Sequence, residues 1–192
     1  MDVVCKIGGG LLAHPGSLDE VLTAVARAAH GCRVLVLPGG GPFADAVRRV
    51  DADVRLSDEA SHWMAVLAMD QYAQLLAERL PCGALVRSVG EIRAALGGGR
   101  VPVLAPSAWL READPLPHSW DVTADSIAAW VAGAVGARRL VLVKPAGAHG
   151  EDLVDPYFDR ALPPGVEASV VTADRLEDLR SVRLQADLTR ST

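Results

Sequence analysis

The stretch Val3-Val4-Cys5-Lys6-Ile7-Gly8-Gly9-Gly10 joins a short apolar run to a lysine and three consecutive glycines. The apolar residues predict a buried β-strand over residues 3–7, and the glycines predict a loop at its end. Glycines let a ligand approach the backbone N–H groups closely, and a lysine adds a mobile positive charge that suits phosphate. Taken alone, this loop fits a phosphate-binding loop and a plain turn equally well.

The segments after this loop alternate between helix and strand patterns. Ser17 to Glu20 matches a capping box, which predicts a helix with Ser17 as its N-cap and Gly31 just beyond its end. The apolar run of residues 33–37 predicts a parallel strand that is buried on both faces. Strand, helix and strand in this order predict a right-handed βαβ unit in an α/β protein.

A second glycine triplet, Gly39-Gly40-Gly41, follows the second strand and opens a helix predicted over residues 43–50. Two glycine-rich loops therefore follow two neighbouring parallel strands at their carboxyl ends. α/β sheets bind their ligands at this edge.

The rest of the chain continues the same alternation. Further strands are predicted at residues 84–86, 101–104, 139–143, 166–171 and 184–189, and helices at residues 57–80, 88–97, 106–112, 124–135 and 173–180. Ser57, Ser88 and Thr123 are the predicted N-caps of three of these helices. Pro102 predicts an edge or strand-start position, because proline cannot donate to a sheet ladder. No linker or long repeat divides the chain, so we expect one domain over residues 1–192.

The composition excludes several classes of function. The 192 residues carry a net charge of −5 and no basic stripe, so we expect no nucleic-acid partner. No apolar run approaches the ~18 residues of a membrane span, and no signal peptide is evident at the N-terminus. We therefore expect a cytoplasmic protein, with Cys5, Cys32 and Cys82 as reduced thiols and no metal held by side chains.

Three features converge on one sheet edge: Lys6 with its glycines, the second glycine loop, and Lys144 at the end of a later strand. Asp125, at a predicted helix start, can join them. Phosphoryl transfer needs positioned cations and N–H groups for a spread negative charge, and it needs no side-chain nucleophile. The pattern therefore favours phosphoryl transfer to a small-molecule substrate. A dipole partner of the helix for Asp125 and a solvated loop lysine for Lys144 remain the simpler alternatives.

Other known binding motifs match the amino-acid sequence less well. Gly8 to Ala13 matches G-x-G-x-x-A, but the acid that a dinucleotide fold requires after the second strand is missing. The Walker pattern G-x-x-x-x-G-K-[ST] is absent from the sequence. His118 and His149 receive no role, and Trp120 is interpreted as a packing residue.

The order of these motifs resembles the amino acid kinase superfamily, which includes acetylglutamate, aspartate, uridylate and isopentenyl phosphate kinases. The resemblance rests on Lys6-Ile7-Gly8-Gly9, Gly39-Gly40-Gly41-Pro42, Asp121-Val122-Thr123-Ala124-Asp125-Ser126 and the strand that ends at Lys144. Further segments resemble a narrower group, the small kinases of methanofuran biosynthesis, which phosphorylate aminomethylfuran-methyl phosphate to its diphosphate. These segments are Phe43-Ala44-Asp45, Ser57-Asp58-Glu59-Ala60, Met64-Ala65, Ala68-Met69-Asp70-Gln71-Tyr72 and His118-Ser119-Trp120-Asp121.

The resemblance implies a three-layer αβα sandwich with a mostly parallel central sheet, ATP and Mg²⁺ as co-substrates, and a homo-oligomer. It implies catalytic roles for Lys6, Asp125 and Lys144, with Mg²⁺ held mainly through the phosphates. The implied cofactor-binding residues, which contact ATP, are Gly8, Gly9, Gly10, Gly147 and Asp155. The implied substrate-binding residues are Gly39, Gly40, Gly41 and Asp45.

One departure from the family pattern leaves alternatives open. Many relatives carry an Asp-Val-Asp-Gly-like loop where this chain reads Pro145-Ala146-Gly147-Ala148-His149-Gly150, without an acid. A catalytically silent ligand-binding protein on the same fold is therefore a second interpretation. A kinase of a carboxylate or carbamate is a third. A phosphorylated acceptor needs cationic or N–H partners beyond Gly39 to Gly41; Arg48 and Arg49 are near in sequence, and Arg55 and Arg87 could equally reach the site.

Overall fold

A computed structural model describes residues 1–150 and 153–176 of the chain. Strands and helices alternate along these residues, as the sequence predicts. The strands are β1 Val3–Ile7, β2 Val34–Pro38, β3 Gly83–Val86, β4 Val101–Leu104, β5 Arg139–Lys144 and β6 Glu167–Thr172. The helices are α1 Pro15–Ala29, α2 Gly41–Val54, α3 Asp58–Arg79, α4 Val89–Gly97, α5 Ser107–Ala113, α6 Ala124–Ala134 and α7 Phe158–Ala161, with a 3-10 helix at Gly9–Ala13.

The six strands form one sheet in the order β3-β4-β2-β1-β5-β6, and every pair in it is parallel. The prediction of a mostly parallel sheet is confirmed. The edge position predicted for Pro102 is wrong, because β4 lies between β3 and β2. Proline is tolerated there as the second residue of its strand, and the pairing of β4 with β2 runs through Val103 and Val36.

Helices cover both faces of the sheet, which gives the expected three layers. Alternate residues of β1 point to opposite faces, so Val3, Cys5 and Ile7 pack in one buried cluster with α1. Val4 packs in the other cluster, which includes Ile127 of α6. Lys6 shares the face of Val4, and its side chain therefore lies on the α6 side of the sheet.

Helix starts differ from the predictions at two places. The first helix begins at Pro15, with His14 as its N-cap, so the predicted cap at Ser17 is wrong. Proline is favoured at the first helical position, which explains this earlier start. The second helix runs from Gly41 to Val54 rather than over residues 43–50.

Two predicted N-caps are confirmed. Ser57 Oγ accepts a hydrogen bond from Ala60 N at 3.2 Å, and Ser88 Oγ accepts one from Glu91 N at 3.2 Å. Residues 173–176 form turns instead of the start of the helix predicted over 173–180. The remainder of that helix and the strand predicted over 184–189 lie outside the described residues. Within the described ranges, no helix has the length and apolarity that crossing a membrane requires.

Candidate active site

The pairing register of β1 with β5 places the two lysines of the chain close together. Lys6 of β1 is paired with Leu142 of β5, and Lys144 lies two residues beyond that partner. Residues two apart in a strand share a face of the sheet. Lys6 and Lys144 therefore both lie on the α6 side, where the first turn of α6 carries Asp125.

Asp125 joins the two lysines. Its Oδ2 accepts a hydrogen bond from Lys144 Nζ at 2.7 Å, and its Oδ1 lies 2.9 Å from Lys6 Nζ. Asp125 and Lys6 are nearly excluded from solvent, at 4 % and 5 % exposure. Oδ1 is buried and has no hydrogen-bond partner of good geometry among the described residues, so its contact with Lys6 is an ion pair. The three residues that were predicted to be catalytic thus form one buried cluster.

Burial and charge act in opposite directions within this cluster. Burial lowers the pKa of Lys6, the nearby Asp125 carboxylate opposes that shift, and Lys144 adds to it. For Asp125, burial acts to raise the pKa, but the charges of Lys6 and Lys144 outweigh it and the pKa is lowered. Asp125 is therefore a carboxylate at neutral pH, and with both lysines protonated the cluster carries a net positive charge that can attract phosphoryl oxygens.

Asp155 fixes the start of α6. Its Oδ2 accepts hydrogen bonds from Thr123 N at 3.0 Å, Thr123 Oγ1 at 2.8 Å and Ser126 N at 2.9 Å, and its Oδ1 accepts one from Ser126 Oγ. Thr123 is the N-cap residue as predicted, yet its own side chain makes no capping bond. The carboxylate of Asp155, which belongs to a different segment of the chain, caps the helix in its place. Asp155 therefore lies beside the turn that carries Asp125.

The two glycine loops lie against each other. A β-carbon at Gly9 would lie 2.2 Å from both Cα and N of Gly41, and one at Gly39 would lie 2.9 Å from Gly9 N. No side chain other than hydrogen fits at either position. Gly39 N also donates to Ile7 O at 2.8 Å, which links the loop after β2 to the end of β1.

Further contacts hold the first loop to its surroundings. Gly8 N donates to Val143 O at 2.8 Å, and the hydroxyl of the buried Tyr72 donates to Gly8 O at 3.4 Å. A β-carbon at Gly10 would lie 2.8 Å from Cγ of Pro145, so the loop after β5 closes over it. The loop after β1 leads into the 3-10 helix Gly9–Ala13, whereas the loop after β2 leads directly into α2.

A cavity of about 280 Å³ opens between these elements. Of the site residues predicted from sequence, it is lined by Lys6, Gly9, Gly10, Gly40, Gly41, Asp45, Asp125 and Lys144. Gly8, Gly39, Gly147 and Asp155 do not line it. Gly8 and Gly39 support the loops from behind, and Asp155 is turned to the start of α6.

Gly147 lies in the exposed loop after Lys144 and has a φ of 73°, a left-handed conformation that favours glycine. The carboxylate of Asp70 in α3 does not line the cavity and accepts hydrogen bonds from Ser107 N and Oγ.

The cavity is also lined by residues that the sequence did not identify as a group. Arg48 of α2 pairs with Asp45 at 3.0 Å, and its guanidinium lies 4.8 Å from the centre of the Trp120 ring. Trp120 Nε1 donates to Asp51 Oδ2 at 2.7 Å, which holds the indole in place. The interpretation of Trp120 as a packing residue is incomplete, because its side chain also lines the cavity. Ser61 and His62 of α3 line it as well, and the sequence offered no signal for them.

Comparisons with known proteins agree with this geometry. The profile of the Amino acid kinase family matches residues 1–147. Over 179 residues, 93 % of this chain and 78 % of its relative, the sequence is 26 % identical to the [5-(aminomethyl)furan-3-yl]methyl phosphate kinase of Methanocaldococcus jannaschii.

Solved structures have the same fold. Uridylate kinase from Archaeoglobus fulgidus superposes with a TM-score of 0.70 at 16 % identity, over 95 % of this chain and 96 % of the other. An isopentenyl phosphate kinase superposes with a TM-score of 0.60 at 14 % identity, over 95 % and 96 % of the two chains.

Proposed function

The chain belongs to the amino acid kinase family and is a small-molecule kinase, and from this premise we propose that it transfers a phosphoryl group from ATP to a small phosphomonoester. The product is then a diphosphate. We propose an acceptor of the aminomethylfuran-methyl phosphate type, used in the biosynthesis of a methanofuran-like cofactor of one-carbon metabolism.

The observation that carries the proposal is the Lys6–Asp125–Lys144 cluster, which lines a cavity together with a third cation, Arg48. A phosphoryl group in transfer and a phosphate that receives it both carry negative charge. Each needs cationic or N–H partners in a site shielded from water. A cavity lined by three cationic side chains supports such an acceptor better than it supports a neutral one.

In the proposed reaction, one P–O bond forms and one breaks. An oxygen of the acceptor phosphate attacks the γ-phosphorus of ATP, a P–O bond to the acceptor forms, and the bond to ADP breaks. Lys6 stabilises the negative charge on the transferred group, and Asp125 keeps Lys6 and Lys144 in position. We assign Lys144 to the nucleotide side, because it ends the strand next to β1 and precedes the loop with Gly147.

The glycine loops supply backbone N–H groups. We propose that the loop with Gly9 and Gly10 holds phosphates of ATP, and that the loop with Gly40 and Gly41 holds the acceptor phosphate at the start of α2. Gly8 and Gly39 shape these loops without lining the cavity.

Mg²⁺ fits this site only through the phosphates. The described ranges contain no group of three or more His, Cys, Asp or Glu side chains that could hold a metal ion, and Asp125 is already paired with two lysines. A bound Mg²⁺ would neutralise phosphate charge.

The test is a panel of acceptors assayed for ADP release. The panel contains [5-(aminomethyl)furan-3-yl]methyl phosphate, uridine monophosphate, isopentenyl phosphate, glutamate and carbamate, each with ATP and Mg²⁺. We expect turnover with the furan phosphomonoester and at least tenfold less with the carboxylate and the carbamate. Turnover of the carboxylate or the carbamate alone would contradict this proposal and indicate a kinase of that acceptor instead. ATP that binds without any turnover would support a silent ligand-binding protein instead.

We also propose that the protein is a cytoplasmic homo-oligomer. Cytoplasmic ATP supports the location. Exposed apolar side chains support the assembly: Val50 and Val54 lie one turn apart on α2, and Met64 and Leu67 lie three residues apart on α3. Light scattering of the wild type and of a Leu67→Asp variant tests the assembly. A wild type that is monomeric at assay concentration contradicts it.

A further inference from the structure

His62 is a buried histidine whose ring nitrogens have no protein partner. It lies in α3, is 9 % exposed, and lines the same cavity as the lysine cluster. None of the residues in the ranges 1–150 and 153–176 forms a hydrogen bond with its imidazole. Among the described residues, the buried side-chain atoms without a hydrogen-bond partner do not include the ring nitrogens of His62. These nitrogens are therefore accessible from the cavity, and a ligand bound there can supply the partner.

Aromatic neighbours fix the orientation of this ring. His62 stacks on His118, with ring centres 4.3 Å apart and planes inclined by 17°, and it meets Trp63 edge-on at 4.9 Å. His118 Nε2 lies 2.9 Å from Asp114 Oδ1, and Arg111 lies over the Trp63 ring at 4.5 Å. These contacts fix the orientation of the imidazole at the cavity surface, and a residue that discriminates between ligands must be held in this way.

The same surroundings keep His62 uncharged. Burial and, to a smaller extent, the stacked His118 lower its pKa, Asp114 opposes them only in part, and the pKa falls to about 4. At neutral pH the imidazole therefore has one N–H donor and one nitrogen that accepts a hydrogen bond.

The cavity contains many donors and few free acceptors. Lys6, Lys144 and Arg48 are cations, and the two carboxylates among its walls are already paired, Asp125 with both lysines and Asp45 with Arg48. Such residues bind a phosphate favourably, but they offer few hydrogen-bond acceptors to an ammonium group. The uncharged nitrogen of His62 is an acceptor for an ammonium group in addition to the hydroxyl oxygens of Ser61 and Ser119, which also line the cavity.

We infer that His62 accepts a hydrogen bond from the ammonium group of an amine-bearing acceptor, and so selects that acceptor over analogues without the amine. The inference rests on the proposed function, because the phosphate of the same molecule must lie at the loop with Gly40 and Gly41. The Methanocaldococcus relative acts on a substrate with an aminomethyl group, which is the chemistry that this contact would recognise.

The test compares two acceptors and three proteins. The acceptors are [5-(aminomethyl)furan-3-yl]methyl phosphate and its hydroxymethyl analogue. The proteins are the wild type, His62→Leu, which removes the hydrogen bond, and His62→Gln, which keeps a neutral oxygen acceptor. We expect His62→Leu to lower kcat/KM for the amine by about 10- to 100-fold, mostly through KM, as for a lost hydrogen bond to a charged group. We expect a smaller loss, about two- to fivefold, for the hydroxymethyl analogue, because its uncharged hydroxyl also donates to the imidazole but more weakly, and we expect His62→Gln to recover part of the loss for the amine.

Two controls exclude a general loss of activity as the cause of these effects. The KM for ATP should stay the same in all three proteins, and His30→Leu, an identical replacement at the exposed end of α1, should leave both acceptors unaffected. If His62→Leu does not fold, the wild type and His62→Gln are compared in the same way. Equal losses for both acceptors, or no loss for the amine, overturn the inference alone. No turnover of either acceptor by the wild type overturns the proposed function and this inference with it.

Discussion

Gly9 and Gly41 lie back to back, so that a β-carbon on Gly9 would lie 2.2 Å from Cα of Gly41. One residue belongs to the loop after β1 and the other to the first turn of α2. Their contact sets the separation of the two loops, and with it the separation of the donor and acceptor phosphates that we assign to them.

Gly9→Ala should therefore separate the loops and slow the reaction. Because a displacement of about 1 Å costs on the order of 100-fold in rate, we expect kcat/KM to fall by at least that factor. The measurement is steady-state ADP release, with a thermal melt to check the fold. Gly97→Ala is the matched control, since a β-carbon there would meet nothing within 4 Å. Equal activities of the two variants would contradict direct contact between the loops.

Asp125→Asn should disable the lysine cluster. Without the carboxylate, Lys6 and Lys144 repel each other in a buried site, and the pKa of Lys6 loses the interaction that opposes its fall. We expect kcat to fall by about 100- to 1,000-fold, the range for loss of one electrostatic contact in a transition state. We also expect a lower stability, because one partner of a buried ion pair is removed. Asp121→Asn, at an exposed position nearby, is the control. An unchanged kcat would contradict the role of Asp125.

Asp155→Ala separates two roles for that residue. If Asp155 positions α6, as its bonds to Thr123 and Ser126 indicate, the variant loses about 1 kcal/mol of stability and kcat falls. If Asp155 contacts ATP, as the resemblance implies, the KM for ATP rises instead. Kinetics at varied ATP and a thermal melt distinguish the two. Asp159→Ala, an exposed acid of α7, should change neither quantity.

The stability of the protein should fall between about pH 6.5 and pH 4 because of His62. An unfolded histidine has a pKa near 6.5, whereas the folded His62 has a pKa of about 4. In this window the unfolded chain takes up a proton that the folded protein does not, so lower pH favours unfolding. Thermal melts at several pH values should show a shallower decline for His62→Gln. Parallel curves for the two proteins would exclude this linkage.

The sequence predicts the parts of this site that depend on neighbouring residues. Lys6 and Lys144 follow from strand ends, and the glycine loops follow from the turns after β1 and β2. Their convergence is a property of parallel sheets, in which carboxyl ends share an edge. The register of β1 with β5 brings the two lysines together. Asp125 lies at a predicted helix start, and the packing of α6 against these strands brings it to them.

Contacts between distant segments could not be predicted from one sequence. Asp155 reaches Thr123 across 32 residues, and Trp120 reaches Asp51 across 69 residues. The stacking of His62 on His118 likewise joins α3 to a loop far along the chain. No spacing rule connects such pairs, since only the packing of α6 and α3 against the sheet makes them neighbours.

Phosphorus NMR of the complete reaction tests the phosphoryl-transfer proposal most directly. The mixture contains the protein, ATP, Mg²⁺ and [5-(aminomethyl)furan-3-yl]methyl phosphate, and the matched sample contains Lys6→Ala. With the wild type we expect the phosphomonoester signal to be replaced by two coupled diphosphate signals, with one ADP formed per diphosphate. With Lys6→Ala we expect the rate to fall by at least about 100-fold. Release of inorganic phosphate without a new diphosphate, or equal rates for the two proteins, would contradict the proposed reaction.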